Sequence, residues 1–287
     1  MRPSISPRRL GGLATSAAIG TSLLVSSPAH AGLLSPESGG SPNADRISTL
    51  YWLIFAMALV VFAVVGGALI YAVIKFKAGD GRVARQIHGN TRFEIGCTIG
   101  AAAILVFLTV VTFIMLPGIK NPDATGDDGL QLASGSSSGS LYASTDQPEP
   151  PGGNALNIKV DGQQYAWRYQ YPGAEKVYSI YEMVVPSNTT VTLDITSDDV
   201  NHSWWIPKLG GKFDAIQGYT NKTWFKAKPG LYKGQCAELC GRNHANMLAR
   251  VRVVSPEEYE QWYAEKAKQL SDAASARDAA RPRYEDQ

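Results

Sequence analysis

Hydrophobic residues are concentrated in three uncharged blocks within the first 119 residues of this 287-residue chain, and the rest of the chain is more polar. The first block, from Leu10 to Val25, follows three arginines and precedes the tripeptide Ala29-His30-Ala31. A basic start, an apolar centre and a small-x-small cleavage site are typical of a secretory signal peptide. We therefore predict that residues 1–31 are a signal peptide, the alternative being a cytoplasmic tail without fixed structure.

The next two blocks are long enough to cross a membrane. Neither Ile47–Ile74 nor Ile95–Ile119 contains a charged residue, and about 20 apolar residues suffice for a span. The loop between them carries five Lys and Arg residues against Asp80 and the boundary residue Glu94, so the positive-inside rule places it in the cytoplasm. We predict a two-span hairpin over residues 32–119 in the cell membrane, with both termini and the following domain outside the cytoplasm.

Beyond the second block, the pattern changes twice. Residues 120–153 are rich in Gly, Ser, Pro and Asp, which predicts a flexible linker. Residues 154–254 contain short runs of Val, Ile, Thr and Tyr separated by turn residues, which predict an all-β sandwich. The predicted strands are Leu156–Val160, Tyr165–Tyr171, Val177–Val185, Thr189–Thr196, Thr223–Ala227, Gly230–Gly234 and Leu248–Val254.

The C-terminal tail, residues 255–287, starts with a helix signal. Ser255-Pro256-Glu257-Glu258 combines a capping box with proline at the first helical position. The pattern predicts a helix to about Ala274 with little apolar surface, and therefore a solvated one.

Composition and charge add one point about partners. The formal net charge is +2 and 18% of the residues are charged, without the basic runs and spaced aromatic residues that favour nucleic-acid binding. Between Asn154 and Val254, however, there are twelve Lys and Arg against eight Asp and Glu. The outer domain is thus basic, and Asp194, Asp198 and Asp199 are the candidates for a small acidic area on it.

The candidate chemistry lies in one short segment. Cys236, Cys240, His244 and Met247 fall within twelve residues, and His202 is the other histidine expected outside the membrane. Thiolate, imidazole and thioether are together the ligands of an electron-transfer copper site. With two cysteines, the loop could bridge two metal ions, each ending in one histidine, with Met247 and a backbone carbonyl such as that of Glu238 completing the set. The alternatives are a strained Cys236–Cys240 disulfide, a Cys2His2 zinc site that gives Met247 no role, and a catalytic thiol.

The segment C-x-E-x-C-G-x-x-H-x-x-M, preceded by His202-Ser203-Trp204, resembles subunit II of cytochrome c oxidase over about residues 45–254. The resemblance implies a cupredoxin-like sandwich with the binuclear copper centre called CuA. It implies a carbonyl ligand from Glu238, whose side chain would also reach a magnesium ion at the boundary with subunit I. It further implies transfer of single electrons from a c-type cytochrome to haem in subunit I, where oxygen is reduced and protons are pumped. The implied copper ligands are His202, Cys236, Glu238, Cys240, His244 and Met247.

Three further residues acquire expected roles from this resemblance. Glu94 matches a glutamate at the mouth of a proton pathway into subunit I, or is simply a helix-start carboxylate favoured by the helix dipole. Trp167 matches one aromatic residue of the motif at which electrons enter the family. Tyr165 stands where that motif usually has tryptophan, so it either receives the electrons or is an ordinary aromatic residue in a half-buried strand.

The partners expected from the resemblance are oxidase subunits I and III and a c-type cytochrome. Because the outer domain is basic, we expect a membrane-anchored cytochrome rather than a small basic one. The chain has no C-x-x-C-H motif, so no haem is expected on it. Rival functions are a quinol oxidase subunit, which would lack the copper ligands, a membrane-anchored copper chaperone, and the copper domain of nitrous oxide reductase.

Overall fold

The computed structural model describes residues 35–77, 86–132, 151–173 and 177–280, which form a helical hairpin, a β-domain and a C-terminal helix. The predicted signal peptide, residues 1–31, lies outside the described residues. So do residues 78–85 of the loop between the spans, residues 133–150 of the predicted linker, and residues 281–287.

Two long helices form the hairpin. Helix α1 spans Pro42–Lys75 and helix α2 spans Thr91–Lys120, so both predicted spans lie inside them. Their most apolar 18-residue windows have mean hydropathies of 2.8 and 2.7, and none of the residues in those windows is buried within the chain. Helices that are this long, this apolar and this exposed fit a lipid environment.

The outer ends of the two helices are joined by Arg46. Its guanidinium donates to the carbonyl of Gly118 near the end of α2 and pairs with Asp123 at 3.1 Å. A second set of bonds ties the hairpin to the β-domain through Trp224. The indole N–H of Trp224 donates to Ile119 O (2.9 Å), and its carbonyl accepts from Asn43 Nδ2 (2.8 Å). The domain is therefore seated directly on the outer ends of both helices.

The predicted flexible linker is wrong for its first part. Residues 121–132 follow the β-domain, where Asp123 O accepts from Thr190 Oγ1 (2.6 Å) and Leu130 N donates to Thr189 Oγ1 (2.8 Å). Thr125 Oγ1 donates to Asn154 O (2.7 Å). The polar composition that suggested a linker instead supplies hydrogen-bonding groups for the surface of the sandwich.

Ten strands in the described residues build two five-stranded sheets. The strands are β1 Leu156–Gln163, β2 Ala166–Gln170, β3 Tyr178–Ile180, β4 Glu182–Pro186, β5 Val191–Ser197, β6 His202–Trp205, β7 Phe213–Ala215, β8 Asn221–Phe225, β9 Gly230–Cys236 and β10 Leu248–Val254. Sheet A has the order β3-β2-β1-β5-β8 and sheet B the order β4-β10-β9-β6-β7. Strands β1 and β5 of sheet A are parallel, and so are β10 and β4 of sheet B. All other neighbouring strands are antiparallel.

The sandwich prediction is confirmed, with three corrections in detail. The predicted strand Val177–Val185 is two strands, because Tyr181 takes a positive φ of 69° and the chain crosses there from sheet A to sheet B. Tyr165 lies in the turn between β1 and β2 rather than in a strand. Strands β6 and β7 were not predicted, since four and three residues are too short to show an alternating pattern.

Helix α3, Pro256–Ala280, is longer than predicted, and its first turns are not solvated. Tyr259 is buried, and the rings of Tyr259 and Trp262 lie 6.4 and 5.0 Å from that of Tyr171. These aromatic residues cover the end of the sandwich core. The prediction of a solvated helix is wrong for these turns, because their apolar surface consists of aromatic side chains that pack on Tyr171.

Candidate metal centre

The predicted metal ligands meet because three neighbouring strands of sheet B end at the same edge. His202 begins β6, Cys236 ends β9, and Met247 directly precedes β10. Strand β9 lies between β6 and β10, with Trp204 paired to Cys236 and Gln235 paired to Leu248. Sheet register thus brings His202 next to the loop that starts at Cys236, although 34 residues separate them.

The loop from Cys236 to Met247 is closed by backbone hydrogen bonds at its base. Cys236 N donates to Met247 O (2.8 Å), and Ala237 N donates to Ser203 O (2.9 Å). At its far end, Gly241 has a φ of 132°, a conformation that residues with a side chain rarely adopt. The loop is therefore held at its base and turns sharply at Gly241, which folds Cys240 back toward Cys236.

Six ligand atoms lie close together, and we call this group the ligand row. The Sγ atoms of Cys236 and Cys240 are 3.9 Å apart, and His202 Nδ1 lies 3.8 Å from Cys236 Sγ. His244 Nδ1 is 3.5 Å and Met247 Sδ 3.8 Å from Cys240 Sγ. The carbonyl oxygen of Glu238 lies 3.2 Å from Cys236 Sγ. All of the predicted copper ligands are thus brought together, with one imidazole beside each sulfur.

The donor set fits copper better than the alternatives. The sulfur separation of 3.9 Å exceeds the roughly 2.05 Å of a disulfide, and both cysteines are free. His202, Cys236 and Cys240 have ligand atoms that all lie within 4.8 Å of one another, whereas His244 is outside that group. A tetrahedral zinc site needs all four donors around one point. Two imidazoles, two thiols and a thioether at these positions suit soft-metal binding by more than one ion.

Burial and charge show what a cation would do at this place. His202, Cys236, Cys240 and Met247 are buried, and His244 is half-buried. Burial tends to raise the pKa of Cys236, but hydrogen bonding, first with His202, lowers it overall. Burial and the neighbouring Cys236 raise the pKa of Cys240. The pair therefore resists losing both protons without a cation, and a bound metal, which requires both thiolates, would displace the protons that remain.

Asp199 fixes the orientation of His202 and was missed in the sequence. Its Oδ1 lies 2.9 Å from His202 Nε2, which leaves Nδ1 toward the sulfur pair. Burial alone would lower the pKa of His202, but the contacts with Cys236 and Asp199 raise it. The signal was present as an Asp three residues before the histidine, but it had been assigned to a surface acidic area.

The candidate electron-receiving residues lie on either side of the ligands. Trp167 is fully buried and its ring lies edge-on to that of His202, with centroids 5.8 Å apart. Tyr165 is half-buried in the β1–β2 turn, and its hydroxyl packs so close to Gly241 that a Cβ there would come within 2.6 Å. Gln164 joins this turn to the site, since its Nε2 donates to Cys240 O (2.7 Å) and its backbone N donates to Asp199 (2.7 Å).

The candidate acidic area is reduced to two carboxylates. Asp194 is buried, and Asp198 pairs with Arg168 at 3.0 Å. Asp199 is bound by His202 and by the backbone of the β1–β2 turn. The side chains of Asp198 and Asp199 remain 49% and 34% exposed, so an acidic area at these two residues stays a prediction.

Two glutamates were expected to act through their side chains rather than as copper ligands. Glu238 contributes its carbonyl to the row while the residue itself is exposed. Glu94 lies in the first turn of α2, where its Oε1 accepts from Asn90 N (3.2 Å), and Asn90 Oδ1 accepts from Phe93 N (3.2 Å). The helix-start interpretation of Glu94 therefore has a structural basis.

Comparison with known proteins assigns the chain to a family. Residues 177–254 match the family described as the periplasmic domain of cytochrome c oxidase subunit II, and residues 28–115 match its transmembrane domain. A probable cytochrome c oxidase subunit 2 of Rickettsia bellii is 32% identical over 84% of this chain and 86% of its own length. Cytochrome c oxidase subunit 2 of Alkalihalophilus pseudofirmus is 34% identical over 72% of this chain, which spans about half, 53%, of that relative. Among solved structures, the periplasmic domain of cytochrome oxidase subunit II of Bradyrhizobium japonicum is 39% identical over 40% of this chain and 96% of that chain, with a TM-score of 0.39.

Proposed function

The chain belongs to the cytochrome c oxidase subunit II family, and we propose that it is the electron-receiving subunit of a haem–copper oxidase, with a binuclear copper centre on His202, Cys236, Glu238 O, Cys240, His244 and Met247. Copper bound there would supply a one-electron redox couple. The chain itself makes and breaks no bonds of oxygen, which is reduced in subunit I.

The observation that carries this proposal is the pairing of one imidazole Nδ1 with each of two sulfurs, at 3.8 and 3.5 Å, around a 3.9 Å sulfur pair. A single-ion site would gather the donors around one point, whereas this row offers two. The thioether sulfur of Met247 lies 3.8 Å from Cys240 Sγ, and the carbonyl oxygen of Glu238 lies 3.2 Å from Cys236 Sγ, so the two donors are close to different cysteines. Quinol-oxidising relatives lack such ligands, so the row also favours a cytochrome as electron donor.

The role of the protein around the centre is to hold the donors still and dry. Backbone bonds fix the loop at Cys236 and Met247, and Asp199 fixes the ring of His202. The fully buried Trp167 and Met247 exclude water on the inner side. A site that neither moves nor exchanges water needs little rearrangement when its charge changes by one electron.

We place the point of electron acceptance at the β1–β2 turn. Trp167 is enclosed and cannot touch a donor, whereas Tyr165 is half-exposed and contacts the copper loop at Gly241. Tyr165→Leu should slow electron transfer from the cytochrome about tenfold while the copper spectrum stays unchanged. Tyr178→Leu, on the exposed edge strand β3, is the matched control and should have no effect. Equal rates in both variants would remove Tyr165 from the route.

Four finer assignments follow from family membership. The exposed carboxylate of Glu238 would help hold a magnesium ion at the boundary with subunit I, and Glu94 would stand at the mouth of a proton pathway. The chain would span the membrane twice with both termini outside the cytoplasm. Its partners would be subunits I and III and a c-type cytochrome, which is membrane-anchored because the outer domain is basic.

Copper titration of the full chain in detergent tests the centre. We expect two copper ions per chain, a purple colour, and an electron paramagnetic resonance spectrum in which one unpaired electron is shared by two copper nuclei. One copper ion with a blue mononuclear spectrum, or a colourless zinc form that copper cannot displace, would contradict the proposal.

A further inference from the structure

A cavity of about 360 Å³ lies where the helical hairpin meets the β-domain, on the far side of Trp224 from the sandwich core. Its lower wall is apolar and comes from the helix ends, with Ile47 of α1 and Ile119 of α2. The wall from the β-domain is mixed, with the aromatic residues Phe213, Tyr219 and Trp224 beside Asn221 and Lys222, and Lys120 lies at the end of α2. The cavity is therefore mainly apolar but holds two cationic groups at the helix ends, the level where a membrane changes from acyl chains to headgroups.

The two lysines of this cavity have no carboxylate within it. No Asp or Glu lines the cavity, and within the described part of the chain neither Lys120 nor Lys222 forms a salt bridge. Asp194 is the cross-strand neighbour of Lys222 and offsets part of its charge, without a salt bridge between them. The cavity as a whole remains cationic and attracts an anion.

A groove on the hairpin continues the cavity downward. About 500 Å³ of apolar space lies between α1 and α2, lined by Ile54, Ala58 and Val61 of α1 and by Ile104 and Leu108 of α2. On α1, residues 7, 11 and 14 positions after Ile47 share its face, and on α2 Leu108 shares the face of Ile119. Eleven helical residues measure about 16 Å, roughly the depth of one membrane leaflet. The cavity and the groove share no lining residue, but they follow the same helix faces within the depth of the outer leaflet, and we refer to the two together as the track.

We propose that this track binds an anionic phospholipid of the outer leaflet, with the phosphate between Lys120 and Lys222 and an acyl chain in the groove beside Ala58. This inference depends on the hairpin spanning a membrane and does not depend on the copper centre. Each lysine near a membrane surface contributes about fivefold to the binding of an anionic lipid, so the two together give a preference of roughly 30-fold over a zwitterionic lipid.

Native mass spectrometry of the full copper-loaded chain tests the lipid site. The chain is exchanged into detergent with equal amounts of phosphatidylglycerol and phosphatidylcholine that carry the same acyl chains. We expect one phosphatidylglycerol to be retained in roughly 30-fold preference, and K120Q/K222Q to lose most of that preference with an unchanged copper spectrum. The matched control K228Q/K233Q removes two exposed lysines elsewhere on the domain and should retain the lipid.

The groove is tested separately from the headgroup site. Ala58→Phe fills the groove and should lower retention of both lipids, whereas Ala56→Phe, on the opposite face of α1, should not. Displacement of the lipid by inorganic phosphate at equal concentration would reduce the site to a free-anion site and overturn the proposal. Equal retention of both lipids by the unaltered chain, or exclusion of phosphatidylglycerol from the track in the assembled oxidase, would overturn it as well.

Discussion

The β-domain and the helical hairpin are both rich in apolar residues but treat them in opposite ways. In the sandwich, residues such as Trp167, Tyr169 and Leu193 are fully enclosed by the two sheets. In the hairpin, no residue of α2 is buried, and Phe62 of α1 remains 73% exposed. The sandwich completes its own core, whereas the hairpin depends on lipid or other subunits to cover it.

Because of this difference, the sandwich determines the geometry of the ligand row and the hairpin determines its location. The ligand row needs only contacts within the chain, because β6, β9 and β10 are neighbours in one sheet. The exposed apolar helices contribute none of the copper ligands and set the location of the site. Substitutions in the two regions should therefore fail in different ways, and the following predictions test that separation.

The largest effect is expected from Cys236→Ser. The change removes one of two bridging sulfurs and should abolish the binuclear spectrum completely, while the sandwich stays folded because its core lies in the strands. Copper content and electron paramagnetic resonance report on the metal centre, and far-ultraviolet circular dichroism reports on the fold of the sandwich. Cys97→Ser, at an exposed position of α2, is the control and should leave the spectrum intact. Loss of the fold in Cys236→Ser alone would mean that site and scaffold are not separable.

A charge placed in the hairpin should act on insertion instead. Val60, near the middle of α1, is 64% exposed, and a lysine there costs about 2.5–3.5 kcal/mol of insertion free energy. Leu231→Lys, at a 51% exposed position of β9, should change the stability of the domain by less than about 0.5 kcal/mol. The fraction of chains inserted into membranes measures the cost of the lysine at Val60, and thermal melting of the β-domain measures the cost of the lysine at Leu231. Similar costs at both positions would show that the hairpin is covered by protein surfaces tolerant of charge.

A smaller effect is expected from Asp199→Ala. Removal of a carboxylate that orients a metal-bound histidine typically weakens metal binding about 10- to 100-fold, and Asp199 is the partner of His202 Nε2. Asp198→Ala is the matched control, because that residue binds Arg168 and Gln163 and does not contact a ligand. Competition with a copper chelator gives the affinities. Equal affinities in the two variants would leave His202 oriented by packing alone.

Much of this molecule could be predicted from its sequence because its signals are local. The uncharged spans, the alternating strands and the C-x-E-x-C-G-x-x-H-x-x-M loop each lie within one continuous segment. Such patterns are formed by residues that are close in sequence, so they can be recognised without knowledge of the fold. Met247 lies within that loop, whereas His202 is 34 residues from Cys236 and was predicted as the other histidine outside the membrane and from the family resemblance of His202-Ser203-Trp204.

The features that could not be predicted depend on contacts between distant segments. The docking of residues 121–132 requires Thr189 and Thr190. Asp199 and His202 are close in sequence, but Asp199 is also bound by the distant backbone of Gln164, which helps to fix its orientation. The division of the run 177–185 at Tyr181 requires two separate sheets. In each case a polar or β-forming residue has several local options, and only a tertiary partner selects one.

The smallest effect concerns the electron donor and its response to salt. The outer domain has a net charge of about four positive units by sequence, from twelve basic and eight acidic residues, and Asp194, Asp198 and Asp199 are enclosed or paired. A small basic cytochrome is therefore repelled rather than steered, and added salt only screens that repulsion. Stopped-flow oxidation of such a cytochrome by the assembled oxidase should be slow, and should stay constant or rise slightly with ionic strength. A membrane-anchored cytochrome c needs no such steering, since its anchor keeps it beside the hairpin, and should react about tenfold faster or more. Fast oxidation of the basic cytochrome that collapses as salt is added would show that an acidic docking surface exists, and would contradict this prediction.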